Sequence, residues 1–106
     1  VYVAGPYTGA EAANTRKALQ AGTVLLERGY APYVPHLTHF WHFLEPQNYE
    51  TWMTFDLEWV DACDVVLRIP GLSKGADREI SYALRKGIPV YWCLDALVAG
   101  VPVKQS

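Results

Sequence analysis

Residues 64–93 read DVVLRIPGLSKGADREISYALRKGIPVYWC, and the punctuation of this stretch decides the fold. Asp64–Ile69 is a run with an apolar centre, which suits a strand in a sheet covered on both faces. Pro70–Gly75 breaks it into a loop. A helix over about 76–86 follows, with Gly87 just past its end. Ile88–Cys93 is a second short apolar run. Strand, loop, helix and strand at this spacing form a βαβ unit, and such units build a parallel sheet.

The same alternation extends upstream. Val1–Ala4 is a short apolar strand ended by Gly5-Pro6, and Pro6 and Gly9 mark a loop. Asn14 is a candidate N-cap for a helix over 15–28, with Gly29 after it. Its apolar positions Ala18, Leu19, Val24, Leu25 and Leu26 favour one broad side. Tyr30–Val34 is a short strand whose Pro32 suggests a sheet edge. Pro35–Asn48 is a loop rich in histidine and aromatics, and a helix over 50–62 leads back to Asp64. No element is assigned after Cys93. The expectation is one α/β domain over 1–106: a flavodoxin-like three-layer sandwich with a four- to five-stranded parallel sheet, order 2-1-3-4. Ligands of such sheets bind outside the carboxyl ends of the strands, at the switch point. That directs attention to Gly5–Gly9, Pro35 onward and Pro70–Gly75.

Composition narrows the function classes. The chain has 106 residues, 51% hydrophobic and 19% charged, enough apolar content for a core. Nine Lys and Arg against eleven Asp and Glu give a net charge of −2, which argues against binding a nucleic acid polymer. No run of about 18 apolar residues is present, so no membrane partner is expected. No basic segment followed by an apolar core opens the chain, and the cytoplasm is the expected location. Cys63 and Cys93 fall at opposite edges of the expected sheet, too far apart to pair, and are expected to be buried small hydrophobes.

Several residues break the pattern. Trp52, Trp59, Val60 and Cys63 lie at i−4, i+3, i+4 and i+7 from Asp56, so Asp56 falls on the apolar stripe of its helix. A carboxylate there is costly unless paired or protonated. It is either a structural cap or paired acid, or a functional one. Glu79 falls in the first turn of the helix after GLSKG, where the dipole favours an ionised carboxylate. It is either a routine N-terminal glutamate or, with Asp56, half of a pair meeting over one crevice. Gly71–Gly75 leads into a helix N-terminus, which suits an anion, with Ser73 and Lys74 as contacts; a plain strand-to-helix turn also explains it. His36, His39 and His42 form HxxHxxH. Three imidazoles can hold zinc, but H-E-x-x-H is absent and the segment is not convincingly helical. The expectation is no metal and no cofactor, with the segment carrying Phe40, Trp41 or Phe43 to the crevice rim to stack on a planar ligand.

The stretch from Phe55 to Trp92, with Asp56-Leu57, then CDVV, then G-x-x-x-E-x-x-x-A and G-I-x-V, resembles the nucleoside 2-deoxyribosyltransferase superfamily, which includes the deoxynucleoside monophosphate N-glycosidases and small domains of unassigned function. The opening VYVAGPYTG resembles its first strand and loop. Specific matches cover about half the chain. The resemblance implies Glu79 as the nucleophile at the anomeric carbon, Asp56 as the acid/base for the leaving nucleobase, and Tyr2 as the residue orienting the nucleophile. It also implies Gly5 beside the sugar-phosphate. Ser73 stands where the monophosphate glycosidases have a phosphate-contacting serine and the transferases an acidic residue. Their phosphate loop, which bears serine and arginine, reads Pro6-Tyr7-Thr8 here. Tyr7, Gly75 and His36 complete the expected substrate-binding set. The implied function is N-glycosidic cleavage or transfer on a small-molecule nucleoside or nucleoside monophosphate, in a homo-oligomer. The competing expectations are a non-catalytic nucleotide-binding or sensing domain and a zinc hydrolase using the three histidines. Two carboxylates suit an oxocarbenium-like transition state. On this reading Glu79 stays ionised and Asp56, among tryptophans, is raised to act as the acid.

Overall fold

A computed structural model describes residues 1–104. At its centre lie three short parallel strands, β1 (Tyr2–Ala4), β2 (Val66–Arg68) and β3 (Val90–Tyr91), in the order β1-β2-β3. Tyr2 pairs with Val66, Ala4 with Arg68, and Val66 with Val90. Five α-helices surround the strands: α1 (Glu11–Glu27), α2 (Thr38–Leu44), α3 (Tyr49–Ala62), α4 (Lys74–Arg85) and α5 (Leu94–Gly100), with a 3-10 turn at Pro35–Leu37. No described helix is long and apolar enough to cross a membrane.

Side chains alternate across a strand, and the sheet accordingly has two cores. Val3 and Leu67 pack on one face with Ala18, Ala21 and Leu25 of α1 and Leu97 of α5. Tyr2, Ala4 and Val66 pack on the other with Val60 of α3 and Ala76, Ile80 and Ala83 of α4. Leu25 and Leu97 are fully buried, and burial of such side chains stabilises the fold by roughly 1.5–3 kcal/mol each.

The expected four- to five-stranded flavodoxin-like sandwich is not what forms. The described residues are 58% helical, with three short strands in a small sheet. The expected strand at Tyr30–Val34 is reduced to a single bridge, Tyr2 with Tyr33. Tyr33 N–H donates to Val1 O at 2.7 Å and Val3 N–H to Tyr33 O at 2.9 Å. Pro32 and Pro35 on either side lack the N–H groups that would extend the ladder. The segment expected to be a loop after Pro35 is helical instead. Pro35 opens the 3-10 turn, and Thr38 Oγ1 donates back to its carbonyl at 2.8 Å. α2 buries none of its residues, so it carries no two-sided pattern from which to infer a helix. α1 begins at Glu11 rather than after Asn14, because the chain turns at Gly9, whose φ is 101°. Asn14 lies inside the first turn and donates from Nδ2 to Tyr7 O at 3.1 Å. Leu19, Val24 and Leu26 of that helix face outward. Cys63 and Cys93 are both free, and Cys93 is exposed rather than buried.

Candidate functional site

The carboxyl ends of β1 and β2 open onto a cavity of about 890 Å³, within the usual range of small-molecule sites. Its wall includes Gly5 and Tyr7 from the loop after β1, His36 from the 3-10 turn, Asp56 from α3, and Ser73, Gly75 and Glu79 from the start of α4. Tyr2 is fully buried behind it and donates its hydroxyl proton to Glu79 Oε2. The eight expected site residues therefore converge, seven on the cavity wall and Tyr2 through Glu79.

Local structure explains the placement. Asn48 caps α3, accepting from Thr51 N–H at 2.8 Å, and Val60 anchors the helix in the core. Asp56, one turn earlier, faces the cavity. Ser73 caps α4, its Oγ accepting from Ala76 N–H at 3.0 Å; this cap contributes about 1 kcal/mol. Ala76, Ile80 and Ala83 dock the helix on the sheet, and Glu79 lies on the same buried face. Gly5 is tightly packed: a Cβ there would stand 3.0 Å from Ile69 Cβ, so Ile69 would have to shift to admit a side chain.

Glu79 is only 5% exposed. Burial pushes its carboxyl up to about 8; Tyr2's hydrogen bond and the charge of Arg68 pull down, and the charge of Asp56 pushes further up. The expectation that a helix N-terminus keeps Glu79 ionised is corrected here. α4 begins at Lys74, so Glu79 sits in its second turn, beyond the free N–H groups of the first. Asp56 is pushed to about 7 by burial, and its Oδ1 is buried with no hydrogen-bond partner. Burial and both acids also raise the Tyr2 phenol well above its ordinary value. Two carboxyls that feel each other's charge titrate as a pair.

A family model for the domain of unknown function DUF7768 matches residues 1–93. The chain belongs to the DUF7768 family. The matched span contains every residue of the cavity wall. Among curated proteins and among solved structures, no match is found.

This DUF7768 domain also uses residues that the sequence reading passed over. Arg68 closes β2 and is 5% exposed. Its guanidinium donates to Ile69 O, to Gly71 O at 2.8 Å and to Asp77 Oδ1 at 3.1 Å. It thus ties the Pro70–Ser73 loop and the start of α4 to the sheet while acting electrostatically on Glu79. A lone arginine inside the apolar run DVVLRI was the available signal. Tyr33 stacks on Tyr2 at 5.7 Å and on Trp59 at 4.6 Å between ring centroids, and burial with the charge of Asp56 pushes its phenol to about 12. Met53, Tyr49 and Gln47 join the cavity wall beside Trp52 and His42, which the sequence had already singled out. Phe40 and Phe43, expected at the rim against a ligand, are 68% and 71% exposed and lie outside that wall. His36, His39 and His42 all reach it. Among the described residues, no three His, Cys, Asp or Glu side chains are grouped to hold a metal ion.

Proposed function

We propose that this domain cleaves or transfers the N-glycosidic bond of a nucleoside or nucleoside monophosphate, with Glu79 as nucleophile. The observation that carries the reading is one cavity holding two carboxyls of unlike surroundings. Glu79 is hydrogen-bonded by Tyr2, whereas Asp56 presents an unpartnered buried oxygen. Buried polar groups without partners are exceptional. The resemblance to the nucleoside 2-deoxyribosyltransferase superfamily supports the same roles.

The working form carries one negative charge on the pair. Burial holds the Glu79 carboxyl above that of Asp56, so the reaction requires the proton to pass from Glu79 to Asp56, a shift that the Tyr2 hydroxyl and the charge of Arg68 assist. Glu79 forms a bond to C1′ as the C1′–N bond breaks, and Asp56 gives its proton to the departing base nitrogen. Asp56 then takes a proton from water or an acceptor, whose oxygen or nitrogen attacks C1′ and releases Glu79. Ser73 stands at the mouth of α4 beside Lys74, where a 5′-phosphate has a hydroxyl, a cation and a helix N-terminus to meet. The reading includes a cytoplasmic setting and a homo-oligomer, for which the exposed apolar side chains of α2 supply surface.

The test is incubation with a panel of deoxynucleosides and their monophosphates, following base release by chromatography. Release that disappears in Glu79→Ala is expected. Release that survives this substitution removes Glu79 from the nucleophile role. Binding without release under any acceptor favours the non-catalytic nucleotide-binding reading.

A further inference from the structure

The strand expected at Tyr30–Val34 is reduced to one bridge, and that bridge places an aromatic ring. Tyr33 N–H donates to Val1 O at 2.7 Å and Val3 N–H donates to Tyr33 O at 2.9 Å. The backbone of Tyr33 is thus gripped on both sides of its bridge partner, Tyr2. The two rings stack, with centroids 5.7 Å apart and planes 26° apart. Trp59 of α3 stacks on Tyr33 in turn, at 4.6 Å and 11°. The series runs outward: Tyr2 is fully buried, Tyr33 is half-buried and Trp59 is 39% exposed.

At the inner end of this series stands the acid pair. Tyr2 donates to Glu79 Oε2, and Trp59 lies three residues after Asp56 on the same helix, where side chains are neighbours. The charges of Asp56 and Glu79 both act on the Tyr33 phenol, with Cys63 adding to them, while Arg68 acts on Glu79 from β2. For Asp56, Glu79 and Tyr2 alike, burial is the first cause of the raised value. Neither Tyr33 nor Trp59 belongs to the cavity wall. Their influence on the chemistry therefore passes through Tyr2 and through the exclusion of water, not through a ligand in that cavity.

We propose that Tyr33 is a positioning residue for the acid pair: held by the edge of β1 and backed by Trp59, its ring fixes the Tyr2 phenol and keeps water from reaching Asp56 and Glu79 past it. The inference rests on the N-glycosidase reading for the reaction that the pair performs. It adds a residue outside the cavity on which the protonation of the pair depends. A side chain at 33 that is no longer a flat ring admits water, and each carboxyl then ionises more readily. At Glu79 a loosened Tyr2 hydrogen bond works the other way, but burial is the larger cause there. At Asp56 burial is the only cause, so Asp56 responds without that opposition. An Asp56 that ionises more readily holds less of the proton that the departing base requires at neutral pH.

Carboxyl 13C shifts of Asp56 and Glu79, followed on the whole chain without substrate from about pH 4 to about pH 10, test the proposal. Tyr33→Leu is expected to lower the Asp56 midpoint by about one pH unit and the Glu79 midpoint by less. Tyr33→Phe, which keeps the ring, is expected to leave both midpoints at their wild-type values. Trp59→Leu, a change at the exposed end of the series, is expected to move Asp56 in the same direction, and it decides the matter alone where Tyr33→Leu does not fold. In the base-release assay Tyr33→Leu is expected to lower kcat roughly tenfold at neutral pH and to leave KM unchanged. A folded Tyr33→Leu with Asp56 at its wild-type midpoint overturns the proposal, as does a Tyr33→Phe that moves Asp56 as far as leucine does. With Tyr33→Leu unfolded, an unmoved Asp56 in Trp59→Leu overturns it equally. Midpoints that shift as expected in a protein that releases no base defeat the glycosidase reading and leave the positioning role standing. Base release by wild type with unmoved midpoints in the leucine variants does the reverse.

Discussion

Replacing Glu79 by glutamine is expected to stabilise the fold in alkaline solution and to change little in acid. Glu79 is raised from 4.5 to about 8 by burial. Between those values the unfolded chain has lost this proton and the folded chain has kept it. Stability therefore declines as pH rises, by about 1.4 kcal/mol per pH unit for one such group. Carried from pH 4.5 to pH 8 this is on the order of 5 kcal/mol. Local relaxation and water entry reduce it, and roughly 2–4 kcal/mol is the expected gain for the variant at pH 9. Glutamine has nearly the same shape, and its carbonyl can still accept from the Tyr2 hydroxyl. At pH 5 the two proteins should unfold at similar denaturant concentrations. Urea unfolding at pH 5, 7 and 9, followed by circular dichroism, measures the difference. A difference that stays constant across this range, or that favours wild type at pH 9, refutes the account of Glu79 as a carboxyl held against its ionisation.

Other perturbations follow from the same site. Base release requires one carboxyl charged and the other protonated, so kcat/KM should form a narrow bell with limbs near 7 and 8, values that belong to the pair; a flat profile from pH 5 to 9 counts against it. Arg68→Met removes the donors to Ile69 O, Gly71 O and Asp77 and should cost roughly 2–4 kcal/mol in urea unfolding. It should also move the alkaline limb of the profile upward, since its charge lowers Glu79, the higher of the two groups. Gly71→Ala meets both a φ of 124° and a Pro6 Cγ at 2.7 Å from the new Cβ. A loss of roughly 1–3 kcal/mol is expected by thermal unfolding.

The alternation from Asp64 to Tyr91 was readable because each signal there was local: an apolar run, a Pro-Gly break, a glycine at φ 75° after α4. Asp56 was readable because an acid among tryptophans at helical spacing conflicts with its own stripe. The strand count was not, because Tyr33 pairs at one residue only and the two prolines beside it act through hydrogen bonds they fail to make. α2 escaped notice because it buries none of its residues fully, and bulky aromatics all round leave it no periodicity. α5 is short and held by one fully buried residue, Leu97. The state of Glu79 depended on where α4 begins, and a displacement of two residues moved it from the first turn to the second. The hydrogen bonds of His36 and His42 depend on which neighbour's carbonyl or N–H each ring meets, which no spacing encodes.

Trp59 rests on Tyr33, and Tyr33 rests on Tyr2, whose hydroxyl holds Glu79. An indole two rings removed from Glu79 gives the domain an optical gauge without any label. Emission from Trp59 responds to the polarity and charge around it, so filling the pocket or discharging the acid pair would register as a change in intrinsic fluorescence. A version keeping Trp59 and carrying phenylalanine in place of the other tryptophans would allow occupancy to be followed in real time, even with a ligand whose turnover leaves no chromophore.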